Sequence, residues 1–210
     1  MMQQLLLELA PPPLPTLENF CPGRNGAALK ALREALADGE RFVFLWGPGG
    51  SGKTHLLRAF SGAAGVAKRD AAAVDDVARL GDAEQIALFD LCNRLRASGG
   101  ALAASGEAPP ARLALRPDLR SRLASGIVLQ LHPLSDADKA AALSAHAAGR
   151  GMKLEGGLIA YLLSHFDRDM GSQIALLDAL DRYSLQRKRG VTLPLLKEAL
   201  RSLVEPEARR

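Results

Sequence analysis

The chain has 210 residues, 48% hydrophobic and 24% charged, with 12 prolines, a composition that buries a core and is not that of a disordered chain. Lys and Arg number 27 against 23 Asp and Glu, and the net charge of +4 is too small to demand a nucleic acid or a membrane surface as partner. Cys21 and Cys92 do not make a disulfide scaffold, no apolar run reaches bilayer length, and the start MMQQLLLELAPPP lacks the basic region of a signal peptide, so a reducing cytoplasm is the expected compartment.

In chain order, residues 1–23 read as an arm and linker, because Leu5–Leu7 is only a short apolar peptide and Pro11–Pro15 breaks any helix. Ala27, Leu29, Leu32, Ala35 and Leu36 then give one apolar face to a helix over Gly23–Asp38. Phe42–Trp46 predicts a buried strand entering GPGGSGKT at Gly47–Thr54, with a helix continuing over His55–Ala63. Gly65–Ala73 is Ala-rich and weakly patterned, and an edge strand and a loop fit it equally. Asp82–Ala97 is a helix, Ala101–Ser105 a strand of small residues, Pro117–Leu123 a short helix and Ile127–Leu131 another strand. This alternation predicts an α/β core over 24–133 with a parallel sheet and helices on its faces. From 134 to 205 the pattern is all helical. Ser135–Asp138 is a capping box, and helices follow to about Ala148, over Glu155–Phe166, Met170–Gln186 and Thr192–Val204, before a frayed tail at 206–210.

Gly47, Pro48, Gly49, Gly50, Ser51, Gly52, Lys53 and Thr54 satisfy G-x-x-x-x-G-K-[ST] between a strand and a helix. In that setting the glycines let backbone amides form an anion nest and the helix N-terminus adds its dipole. Lys53 reaches the β- and γ-phosphates, and Thr54 ligates Mg2+. The chemistry needs a carboxylate at the end of a neighbouring strand, and Asp75-Asp76 after Ala71–Val74 is the candidate, although a paired acid at a helix start has the same look. Ser105 ends the next strand, where a hydroxyl can meet a γ-phosphate or the attacking water. Arg120 and Arg122 are either surface arginines or a finger offered to another protein's ATP. The four histidines have no companions at zinc-ligand spacing.

The phosphate loop, AVDDV, GDAEQIALFDLCNRLRASGG, ALAASGEAPPARLALRPDLRSRL and LHPLSDADKAAAL, in that order, resemble the DnaA-related AAA+ family, and within it the short regulatory-inactivator branch, Hda, over nearly the whole chain. The resemblance implies an AAA+ core with a parallel sheet followed by a small helical lid, and the short stretch between Lys53 and Asp75 points to a sheet reduced by one strand. It makes Gly47–Thr54 the Walker A loop, Asp75-Asp76 Walker B, Ser105 sensor I and Arg122 the trans-acting arginine finger, with Arg120 its neighbour. It implies ADP or ATP with Mg2+ as ligands, Thr54 and Asp75 being the metal-side residues. It makes Gln4, Leu5, Leu6, Leu7 and Leu9 a peptide that docks on the DNA polymerase III sliding clamp, although as a bare pattern a plain N-terminal arm explains these residues equally well. The implied function is inactivation of the replication initiator DnaA by stimulating hydrolysis of its bound ATP. DNA is then met only through the clamp, and self-association is possible for such modules. A stand-alone P-loop ATPase and an accessory scaffold without clamp binding are the competing functions.

Two departures bear on the chain's own hydrolysis. Gly171 occupies the place of the family's sensor II arginine, with Arg168 close in sequence but three residues off. Only 21 residues lie between Lys53 and Asp75, too few for an additional strand and helix. Weak or absent intrinsic ATPase is the expectation.

Overall fold

The computed structural model describes residues 14–37, 41–166 and 170–204, with side chains described as far as 199. Two compact units meet in sequence at Leu134 and Ser135. No helix among the described residues is long and apolar enough to cross a membrane.

The first unit is built around β1 (Phe42–Trp46), an aromatic and β-branched run whose first four residues are buried. The remaining strands are β2 (Ala71–Val74), β3 (Ala101–Gly106) and β4 (Ile127–Gln130). They form a parallel sheet in the order β2-β3-β1-β4, four-stranded among the described residues. Gly65–Ala73, which fitted an edge strand or a loop, thus ends in an edge strand paired along one side only.

The period-two alternation of β1 divides the core between two faces. Val43 and Leu45 point to α1 (Gly26–Leu36) and α2 (Lys53–Val66), packing with Leu32, Ala35, Leu56, Leu57 and Phe60. Phe42 and Phe44 point the other way, to α3 (Asp82–Ser98) and α4 (Pro117–Ala124), meeting Leu88, Leu95, Leu119 and Leu123. Helices on both faces bury β3 completely, which is why its residues are small. Trp46 packs on the second face, as expected of a core residue.

The first unit also corrects the extent of the arm. Leu17 is 4% exposed and Phe20 9% exposed, and both join the cluster beneath α1 and α2. Proline-rich sequence conceals this because the two anchors are too few to show a period. The helix expected from Gly23 begins with a 3-10 turn, Gly23–Asn25, and is α-helical from Gly26.

In the second unit, α5 (Asp136–Gly149) starts at the capping box. Ser135 Oγ accepts the Asp138 N–H at 3.1 Å, and the Asp138 carboxylate accepts the Ser135 N–H at 3.2 Å. The helix expected from Glu155 starts only at Leu158, as α6 (Leu158–His165), after Gly157 at φ 88°. Glu155 serves elsewhere, accepting the Leu193 N–H at 2.9 Å at the start of α8 (Leu193–Val204). With α7 (Met170–Arg187) these helices enclose Leu143, Leu158, Leu162, Leu177, Leu180, Leu195 and Leu196. His146 on α5 and Arg150 just past its end reach Asp178 on α7 at 2.7 and 3.4 Å.

Candidate functional site

The phosphate loop leaves β1 and enters α2, with its shape fixed by neighbours as well as by glycine. A side chain at Gly47 would collide with the Leu131 carbonyl oxygen just past β4. Gly52 has φ 93°, a left-handed conformation, and a Cβ there would lie 2.9 Å from the Phe20 ring. Lys53 Nζ donates to the carbonyls of Gly47 at 2.7 Å and Pro48 at 3.0 Å, so its ammonium lies over the loop itself. Ser51 is 4% exposed, and its hydroxyl has no hydrogen-bond partner among the described residues. A buried orphan hydroxyl, a lysine folded over the loop and a helix N-terminus together form a donor set that fits a phosphate chain.

Beside the loop, the ends of β2 and β3 make a closed polar network. Asp75 Oδ2 accepts the Thr54 hydroxyl at 2.6 Å, and Asp75 Oδ1 accepts the Ser105 hydroxyl at 2.5 Å. Ser105, fully buried opposite Leu45 of β1, also accepts the Asp76 N–H at 3.0 Å. Burial works against ionisation of Asp75. The donations from Ser105, Thr54 and the Asp76 amide, with the charge of Lys53, outweigh it and hold the carboxyl below the ordinary Asp range. The paired oxygens of Thr54 and Asp75 are the hard ligands Mg2+ takes alongside a nucleotide. Asp76 is turned differently. Its backbone is left-handed, φ 48° and ψ 62°, and its carboxylate pairs with Arg79 Nε at 2.6 Å.

Arg122 and Arg120 lie on α4, both half-buried. The Arg122 guanidinium rests 5.7 Å from the centre of the Phe89 ring on α3, a cation–π contact. Arg122, with Arg96, also faces Cys92, whose thiol burial pushes up to about 11 against those two charges. Among the described residues no hydrogen bond or ion pair joins Arg122 to Gly47–Thr54, so the site as built divides into a phosphate loop with Thr54, Asp75 and Ser105, and a separate arginine. In the second unit, Gly171 is in the first turn of α7. Gln173, two residues on, is 1% exposed, and neither of its amide atoms has a hydrogen-bond partner among the described residues. Gln4, Leu5, Leu6, Leu7, Leu9 and Arg168 lie outside the described residues.

Sequence reasoning missed the supports of this site. Asn25 donates to the His132 carbonyl and accepts its N–H, both at 2.8 Å, tying the start of α1 to the chain after β4. Phe20 lies on Gly52 and against the His55 ring. Gln85 accepts the Arg116 N–H at 2.9 Å and donates to the Leu80 carbonyl at 3.0 Å. A lone Asn or Gln gives no local pattern, and its partner here is far away in sequence.

Fold and site together define an AAA+ module followed by a helical lid. Residues 136–200 match the family model of the Hda lid domain. An uncharacterised protein of Haemophilus influenzae is 36% identical across 88% of this chain and 93% of its own length. Domain III of the replication initiation protein DnaA from Thermotoga maritima superposes with a TM-score of 0.66 at 21% identity, covering 92% of this chain and 98% of the domain. DnaA from Aquifex aeolicus, bound to AMPPCP, superposes with a TM-score of 0.64 at 22% identity, covering 84% of this chain and 70% of that one. The chain belongs to the DnaA/Hda-related AAA+ family.

Proposed function

We propose that this protein is a nucleotide-holding regulator that inactivates the replication initiator DnaA by presenting Arg122 to ATP bound on the initiator. In this reading Gly47–Thr54 holds ADP or ATP, and Thr54 and Asp75 hold Mg2+, which screens charge on the phosphate oxygens. The stretch from Gln4 to Leu9 docks on the sliding clamp, so that the protein acts where replication has begun.

The observation that carries the reading is the position of Arg122, half-buried on Phe89 and bonded to nothing in its own phosphate loop. An arginine held by a ring face keeps its N–H groups available to a partner. In the initiator's site, water oxygen bonds to the γ-phosphorus and the bond to the β,γ-bridging oxygen breaks. ADP leaves with that electron pair, and the water's proton passes to solvent. Arg122 opposes the charge spread over the γ-phosphoryl oxygens and the leaving oxygen, a contribution of about a thousandfold or more for such fingers.

The test is hydrolysis of ATP prebound to DnaA, with the clamp loaded on DNA and this protein added as wild type or Arg122→Ala. The expected result is clamp-dependent stimulation that disappears in the variant and in a chain lacking residues 1–9. Stimulation that survives Arg122→Ala, or no stimulation by folded wild type, would sink the reading.

A further inference from the structure

Asp75 and Asp76 leave β2 side by side, yet their carboxylates have different partners. Thr54 and Ser105 take Asp75. Asp76 is pinned through three of its groups. Its N–H goes to Ser105 Oγ at 3.0 Å, its carbonyl accepts the Arg79 N–H at 3.0 Å, and its carboxylate meets Arg79 Nε at 2.6 Å. Val77, fully buried, anchors the turn between them. The left-handed backbone at Asp76 is uncommon for a residue with a Cβ and persists where surrounding bonds impose it. The Ser105 hydroxyl donates to Asp75 Oδ1, so Asp75 is its partner in this arrangement.

We propose that Arg79 is a positioning residue that holds the Asp76 carboxylate away from attacking water, so that the site retains nucleotide instead of hydrolysing it. The inference rests on nucleotide binding at Gly47–Thr54. Hydrolysis there requires water oxygen to bond to the γ-phosphorus as the bond to the β,γ-bridging oxygen breaks and ADP leaves with the electron pair. The water's proton must pass to a carboxylate and then to solvent. Asp75 has both oxygens engaged by Thr54 and Ser105, which leaves Asp76 as the second carboxylate at the end of β2, and Arg79 occupies it. The Arg79 side chain is 84% exposed, so the pair adds little to stability and its effect is on orientation.

The sign of one substitution separates this role from a general electrostatic one. Removing a cation near phosphates without freeing a base slows hydrolysis, whereas releasing Asp76 speeds it. Single-turnover hydrolysis of ATP by the full chain is measured for wild type, Arg79→Ala, Arg79→Lys and the Arg79→Ala/Asp76→Asn double variant. Nucleotide retention is measured separately with a fluorescent ADP analogue, and Mn2+ affinity of the ADP-loaded chain by electron paramagnetic resonance. The expected result is hydrolysis faster by roughly threefold to fivefold in Arg79→Ala, the scale of one exposed ion pair. Wild-type behaviour returns in Arg79→Lys, the double variant loses the gain because it lacks the carboxylate, and Mn2+ binds more tightly only in Arg79→Ala, where an unpaired Asp76 carboxylate adds negative charge beside Thr54 and Asp75. An unchanged or slower rate in Arg79→Ala with ADP still bound, or an equal rise in the double variant, overturns the inference alone. Failure of all four forms to bind the ADP analogue overturns the nucleotide reading and this inference with it.

Discussion

In the first unit, Thr54, Asp75, Ser105 and the Asp76 amide satisfy one another across the ends of two strands and a helix. In the second, Gln173 is buried as deeply as the leucines around it and neither amide atom has a partner among the described residues. The first arrangement fixes geometry, since each donor has one acceptor and a shift leaves the buried Ser105 hydroxyl unmet. The second is carried by leucine packing, which tolerates an amide at some cost. The difference teaches that the phosphate site is specified by directional bonds and the lid by volume, so the two units should respond to different substitutions.

The largest effect belongs to volume. Leu162 is fully buried in the lid, and Leu162→Ala should destabilise it by about 2–5 kcal/mol, read by thermal or urea unfolding, with nucleotide binding at Gly47–Thr54 the control. A loss below about 1 kcal/mol would break the comparison, because the lid would then collapse around a cavity as cores rarely do. Next comes the directional side. Lys53→Ala removes a charged donor aimed at phosphate and should weaken binding of a fluorescent ADP analogue by roughly tenfold to a hundredfold while leaving the melting temperature of the free chain nearly unchanged.

Gln173→Leu tests the lid from the opposite side. Replacing two unmet polar atoms with an apolar group of similar shape should raise stability by about 1–2 kcal/mol. A loss instead would mean that the amide serves a partner. The smallest effect is that of pH. The Asp75 carboxyl lies below the ordinary Asp range when folded, so its contribution is complete above that range and fades as pH falls through the folded value. The stability gap between wild type and Asp75→Asn should therefore close in acid, and a gap independent of pH down to strong acid would contradict the network. Since Asp75 is exposed to solvent over part of its surface, the gap should be under about 1 kcal/mol.

Much of this was legible in the residues. The phosphate loop is a local pattern between a local strand and a local helix, and the Ser135 box is read within four residues. The alternation of strands and helices over 24–133 fixed a parallel sheet. What escaped is non-local or breaks its own pattern. Leu17 and Phe20 sit among prolines and could not be assigned to a core. Asn25 and His132 meet across most of the first unit, and nothing near either announces the other. Gln173 lies on the buried stripe with Leu176, Leu177 and Leu180, where a polar residue reads as surface. Arg79 reads as a solvated charge until the left-handed turn at Asp76 brings its guanidinium back.

The strand order also governs how the chain acquires its shape as it is made. β1 sits between β3 and β4, so Val43 must await Ala103 on one side and Ile127 on the other. The central strand is therefore synthesised long before either neighbour and leaves the ribosome with its aromatic run uncovered. Sheet closure falls near the end of the first unit's translation, when the segment reaching His132 can also engage Asn25. Nascent chains halted before β4 should be sticky and bound by holdase chaperones, and those halted after Leu134 should be compact, a late commitment set by parallel pairing.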